Sequence, residues 1–395
     1  MPKRPEHYLQ YMRDHASEFV TVRQTIHQNP ELGFEEHGTS ALVAERLQKW
    51  GYEVERGLGG TGVVGRITRG SAGRSIGIRA DMDALPIEEK TGLAYSSRRP
   101  GIMHACGHDG HTAMLLGAAQ YLATEGDFSG TLNLIFQPAE EGMGGAVRMM
   151  EDGLFEKYPC DAIFAMHNMP GRPQGDFAFR DGPTMASSDY ATVTLHGVGG
   201  HGAMPHHARD PIVAAASLVM ALQTLVSRNA DPQQVAIVTV GAIHSGKANN
   251  VIPQSATLEI SMRALTRETR VLLEQRLKAV VNAQAESFGL RAEIDFRPGY
   301  AVLVNTPEET DFARSIGRQL VGDAHVEMQA APVTGSEDFA FMLEKRPGCY
   351  LMIGNGRGGE HGGCMVHNPG YDFNDSNLPI GAAYWALLAE SYLAP

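Results

Sequence analysis

Apolar positions follow two different rhythms along the chain. Over roughly the first 180 residues and the last hundred, short continuously apolar runs bounded by Gly, Pro or Asp alternate with segments of helical spacing. That is the pattern of an α/β domain whose strands are buried on both faces. Strands are expected at 75–79, 131–136, 161–166 and 349–353. A helix is expected over 39–50, stopped by Gly51, and another over 112–124, apolar all round and therefore buried. Between about Ser187 and Tyr300 the order changes to strand, helix, strand, strand, helix, strand. Val193 and Leu195 alternate with polar neighbours, Asp210-Pro211 reads as a cap followed by a first-turn proline, and Leu258, Ile260 and Met262 alternate with Glu259, Ser261 and Arg263. This is the order of a ferredoxin-like α+β unit. The expected architecture is a mixed, mostly parallel α/β domain (1–186 and 300–395) interrupted by an inserted α+β domain (187–299).

Composition narrows the possibilities. At 395 residues, 43% hydrophobic and 20% charged, the chain has the make-up of a soluble globular protein. A net charge of -12 without a run of five or six Lys or Arg argues against nucleic acid as a partner. The longest apolar stretch, 211–226, is interrupted by Gln223 and falls short of a membrane span, and the N-terminus has no apolar signal region, so no membrane partner and a cytoplasmic location are expected. Four cysteines without a Cys-x-x-Cys pair fit a reducing compartment. The glycines of Gly60-Thr-Gly62-Val-Val-Gly65 match a dinucleotide fingerprint only formally, because a strand rather than a helix follows them.

Candidate chemistry gathers at the expected strand ends. Asp81 and Asp83 follow the first strand, Glu140 and Glu141 the second, and His167 the third, where ligands of open α/β sheets bind. In Met103-His104-Ala105-Cys106-Gly107-His108-Asp109-Gly110-His111, an extended run would present His104, Cys106 and His108 together before a helix that begins near His111. A thiolate and neutral imidazoles suit Zn²⁺ and its first-row neighbours, while a Cys–His nucleophilic pair is the other functional reading of this segment. Adjacent Glu140 and Glu141 repel unless one binds a cation and its neighbour takes a proton from water. Alone they would read as a solvated acidic turn. His167 and His367 gain weight only from the constellation.

Together with Gly199-Gly-His201-Gly-Ala-Met-Pro-His206, Asn249-Asn250-Val-Ile-Pro253 and Gly335-Ser-Glu-Asp-Phe339, these motifs resemble, in order over nearly the whole chain, the N-acyl-amino-acid amidohydrolases. That family includes hippurate hydrolases and indole-acetyl-amino-acid hydrolases, relatives of aminoacylases and dimetal carboxypeptidases. The resemblance implies two divalent ions per subunit (Zn, Mn, Co or Ni) on Cys106, His108, Glu141, His167 and His367, with Cys106 bridging. It implies Glu140 as general base, and a homodimer in which His201 reaches the partner's active site to stabilise the oxyanion. Asn250 and Arg263 match positions that hold the substrate α-carboxylate; Arg263 paired with Glu259 is the plain alternative. Where the wider superfamily has His-x-Asp this chain has Asp81-Met-Asp83, and Asp83 is expected to orient a ligand. The activity implied is hydrolysis of the amide of an N-acyl-amino acid. A dipeptidase or carboxypeptidase on the same scaffold and a non-catalytic metal-holding protein are the alternatives. Met143 and Met185 are candidates to line the acyl pocket.

Overall fold

A computed structural model describes residues 3–394. The chain divides into two compact units. One comprises the residues up to Gly182, Val304–Ala331 and those from Asp338 onward; the other comprises Pro183–Leu303 and Pro332–Glu337. The expected boundaries lie a few residues from these. The segment Pro332–Glu337, assigned from the sequence to the first domain, clusters instead with the inserted one.

The first unit is built on an eight-stranded sheet among the described residues. Its order is Glu53–Leu58, Gly62–Arg69, Gly130–Gln137, Ser75–Asp81, Ala162–Pro170, Gly348–Gly356, Phe177–Ala178 and Val326–Glu327. The centre, from Gly130–Gln137 to Gly348–Gly356, is parallel, and Glu53–Leu58 and Gly62–Arg69 are antiparallel additions at one edge. Continuous apolar runs specify these central strands because helices cover both faces and leave no solvent side to alternate towards. The helix His108–Thr124 is buried along most of its length and packs on Asn377–Tyr392 and Ala16–Gln28. It begins three residues earlier than the sequence indicates. Gly107, at φ 96°, turns the chain from loop into helix, a conformation that costs a side-chain-bearing residue about 1–2 kcal/mol.

In the second unit the strands Asp189–His196, Ala236–Ser245, Ser255–Ala264 and Arg291–Pro298 form an antiparallel sheet in the order second, third, first, fourth. The helices Pro211–Leu222 and Arg267–Ser287 pack on it, as the ferredoxin-like order requires. Asp210 caps the first helix by accepting from the Ile212 amide (2.8 Å), with Pro211 at its start. This helix continues past Gln223 through a wider turn to Asn229. Contrary to the expectation drawn from Gln223, it is, among the described residues, the one helix long and apolar enough to cross a membrane, and a third of it is buried.

Candidate metal centre and acid–base site

Parallel register brings the carboxyl ends of three strands together. Asp81 ends Ser75–Asp81 and is paired with Gln137, three residues before Glu140, while His167 lies within Ala162–Pro170 beside Met352. The loop before helix His108–Thr124 supplies Cys106, and the helix supplies His108 from its first turn. A distant loop is tied in by the His367 amide, which donates to the Ala105 carbonyl (2.7 Å). His367 itself holds a left-handed φ of 63°, a strained conformation for a residue with a side chain.

Among the described residues, three sets of donor atoms join the sequence-predicted ligands, each within 4.8 Å of one another: Cys106, His108 and His167; Cys106, Glu141 and His367; His108, Glu140 and Glu141. His108 also groups with Asp81 and His111. The Cys106 Sγ stands 3.2 Å from His167 Nε2, and Glu141 Oε1 stands 3.1 Å from His367 Nε2. His104 does not join them. It is buried near His27, with neither ring nitrogen hydrogen-bonded, because the bend at Cys106-Gly107 ends the extended run that would have aligned it with Cys106 and His108.

The surrounding bonds fix the ring tautomers. His108 Nδ1 donates to the Asp83 carbonyl (2.9 Å) and carboxylate (3.1 Å), and His167 Nδ1 donates to the Asn168 carbonyl (2.6 Å). In its neutral form each ring therefore turns its Nε2 lone pair towards the cluster, and the buried His108 Nε2 has no hydrogen-bond partner. Asp83 also accepts from the Glu141 amide (2.9 Å), so its carboxylate is hydrogen-bonded both to the His108 ring and to the Glu141 backbone.

Burial and mutual charge shift the protons of this cluster in opposite directions. Burial, then the Glu141 charge, pushes the Cys106 thiol up. Burial, with the neighbouring His111, holds His167 well below the usual histidine range and so neutral. His367 is pushed up to about 10 by hydrogen bonds to Cys106 and Glu141. For His108, burial disfavours the proton, but the Asp81 and Cys106 charges outweigh it and hold the ring well above its ordinary value. A divalent ion would take the place of these protons and make the thiol a thiolate. Thiolate, imidazole and carboxylate together fit Zn²⁺ or a first-row neighbour.

Behind the cluster lies a network the sequence did not reveal. Arg79, fully buried, pairs with Asp81 (2.7 Å) and Asp338 (3.2 Å) and donates to Gln137 (2.9 Å). Asp81 accepts from His111 Nδ1 (2.6 Å). His27 meets Asp109 (2.8 Å), which also faces Arg23 (3.4 Å). Glu36 accepts from the Ala139 amide (2.8 Å) and from the Thr61 hydroxyl. Apart from Arg79 and Asp81, which share one strand, these partners come from segments far apart in sequence and carry no spacing signature.

His201, Asn250 and Arg263 belong to the second unit. His201 and Val251 are paired across a short antiparallel ribbon, and the Gly202 amide donates to the Asn250 carbonyl (2.8 Å). The side chains of His201 and Asn250 are exposed. The Ala203 amide donates to His201 Nδ1 (3.1 Å), so a neutral His201 carries its proton on Nε2. Arg263 donates to Ser336 Oγ (2.9 Å) and not to Glu259, which instead accepts from Thr192 and faces Arg297. The plain pairing considered for Arg263 is thereby overturned. Met143 is exposed and Met185 buried.

Residues 77–391 match the model of peptidase family M20/M25/M40. The chain is 46% identical over 380 residues to the hippurate hydrolase of Campylobacter jejuni, covering 96% of this chain and 98% of that one. It is 40% identical to the N-acetyl-L-cysteine deacetylase of Bacillus subtilis (93% and 86% covered) and 40% identical to thermostable carboxypeptidase 2 of Saccharolobus solfataricus (94% and 95%). A crystal structure of a dinuclear metal-binding peptidase of the M20 family from Bacillus subtilis superposes with a TM-score of 0.83 at 31% identity, covering 96% of this chain and 99% of that one.

Proposed function

The chain belongs to peptidase family M20/M25/M40, and from that footing we propose that it is a metal-dependent amidohydrolase that cleaves N-acyl-amino acids to a carboxylic acid and a free amino acid. The observation that carries this reading is the shared Cys106. It belongs to two donor sets, one with His108 and His167 and one with Glu141 and His367, while Glu140 stands beside them. Those five residues would hold two divalent ions (Zn²⁺, Mn²⁺, Co²⁺ or Ni²⁺) with the thiolate in common. When bound, such ions supply Lewis acidity towards the amide oxygen and acidify water.

The chain's own residues supply the remainder. Glu140 takes the proton of the attacking water as the C–O bond forms, then delivers it to the amide nitrogen as the C–N bond breaks. Its burial within the cluster keeps bulk water from competing for that proton. Asp83 holds His108 and the Glu141 amide in register. In a homodimer His201, its Nε2–H exposed, would donate to the oxyanion in the partner subunit's site. Asn250 and Arg263 would hold the α-carboxylate, the guanidinium as a two-pronged donor.

Hippurate hydrolase and N-acetyl-L-cysteine deacetylase are named for N-acyl-amino-acid substrates, and the carboxypeptidase similarity favours peptides as the second reading. Amino-acid release from hippurate, N-acetyl-, indole-acetyl- and long-chain acyl-amino acids, set beside dipeptides with free amino groups, separates the two. Preference for the acylated compounds is expected. Cleavage of peptides alone would overturn the assignment.

A further inference from the structure

The Gln137-Pro-Ala-Glu140-Glu141-Gly turn carries both the proposed base and a proposed ligand, and its conformation is unfavourable by itself. Ala139 sits at φ 52°, one of three left-handed non-glycine residues among those described, with Phe34 and His367. Such a residue persists only where its surroundings over-determine it. Here the surroundings are Glu36, which is fully buried. One carboxylate oxygen accepts from the Ala139 amide at 2.8 Å, and the other accepts from the Thr61 hydroxyl. The Ala139 carbonyl is tied to the Gly145 amide at 3.0 Å. Gly33, three residues before Glu36, packs so closely that a Cβ there would stand 3.0 Å from the Ala139 Cβ.

We propose that Glu36 is a positioning residue: by holding the Ala139 N–H it locks the left-handed turn and so fixes where Glu140 and Glu141 stand. The inference rests, for its catalytic half, on Glu140 being the base. Without the Glu36 carboxylate the Ala139 amide is a buried donor with no acceptor, and the turn relaxes towards ordinary φ. A displacement of about 1 Å in an acid–base group costs on the order of 10²-fold in rate.

The test compares full-length wild type, Glu36→Ala, Glu36→Gln and Thr61→Val, each loaded with Co²⁺ to measured stoichiometry. Glu36→Ala is expected to lose on the order of 10²-fold in kcat with little change in KM. Its Co²⁺ absorption bands should shift, because Glu141 moves with the turn. Glu36→Gln, whose amide oxygen accepts the same N–H, should recover to within about tenfold of wild type and restore the bands. Thr61→Val, which removes only the hydroxyl that steadies Glu36, should fall between them and keeps the test usable if Glu36→Ala does not fold. Adding Ala139→Gly to Glu36→Ala should restore part of the rate, since glycine takes this φ without penalty. Wild-type kcat and spectrum in loaded Glu36→Ala, or in loaded Thr61→Val should the alanine variant not fold, overturns the proposal, as does a Gln variant no better than Ala. If wild type hydrolyses no N-acyl-amino acid while the Co²⁺ bands still shift in Glu36→Ala, the functional reading fails and the role of Glu36 in holding the turn stands.

Discussion

The two units carry their candidate residues in opposite ways. In the first, Cys106, His108, Glu140 and His167 are buried, Glu141 is partly buried and His367 alone of the candidate ligands is exposed. Several of the residues around them are hydrogen-bonded from behind: His108 and Glu141 by Asp83, His111 by Asp81, Ala139 by Glu36. In the second, His201 and Asn250 lie exposed on a two-residue ribbon and the Arg263 guanidinium donates to Ser336. Residues that hold an ion and direct a proton need fixed geometry, and low-dielectric surroundings strengthen what they do. Residues that meet a substrate acquire their contacts from it. The first group is therefore coupled to folding, whereas the second can be removed with little structural consequence.

The strongest way to break this contrast is Glu140→Ala. Turnover should fall by about 10²–10⁴-fold while metal content stays at the wild-type level, read by amino-acid release and metal analysis of the same sample. Loss of metal with turnover would mean that Glu140 and Glu141 have exchanged roles. His201→Ala should lose on the order of 10²–10³-fold in kcat. Its stability should stay within about 0.5 kcal/mol of wild type, since the side chain is exposed. Mixing it with Glu140→Ala under proven subunit exchange should return activity if the dimer shares its sites.

Metal removal should act on stability as well as rate. An ion present at about 100 times its Kd stabilises by about 2.7 kcal/mol, so chelation should lower the Tm of wild type and of His201→Ala alike. A smaller effect concerns pH. Burial, with the Asp83 charge adding to it, pushes Glu36 up to about 7. The native state thus binds this proton more tightly than the unfolded chain, whose carboxyl titrates near 4.5. Stability is fully present below that value and declines as pH rises through about 7. Glu36→Gln should remove this slope and be more stable than wild type above pH 7, by on the order of a few kcal/mol, in paired denaturant titrations at pH 5 and 8. Equal slopes would show that Glu36 is not the group titrating.

Both the α/β frame and the ferredoxin-like insert were legible because their signals are local. Buried strands such as Ala162–Pro170 open on a continuous apolar run, and Ser255–Ala264 alternates residue by residue. The metal-type residues were legible for a related reason, since they follow those strands or cluster in one loop. What escaped was everything set by non-local geometry. Nothing near His104 announces that Gly107 turns the chain and leaves that ring among His27 and Asp109 rather than with Cys106. Likewise Glu36 looks like one of two adjacent glutamates before a helix, and only the packing of residues a hundred positions apart brings it to Ala139. The Pro332–Glu337 segment lies in a stretch without periodicity, so its membership in the inserted unit could not be read from pattern.

The account stands most directly on amino-acid release from hippurate by the purified protein, measured before and after chelation and again after adding back Mn²⁺, Zn²⁺ or Co²⁺. Release that chelator abolishes and one of these ions restores is the predicted result. Release unaffected by full metal removal, or none from folded protein with two ions bound, whether from hippurate or from the wider acyl panel, would contradict it.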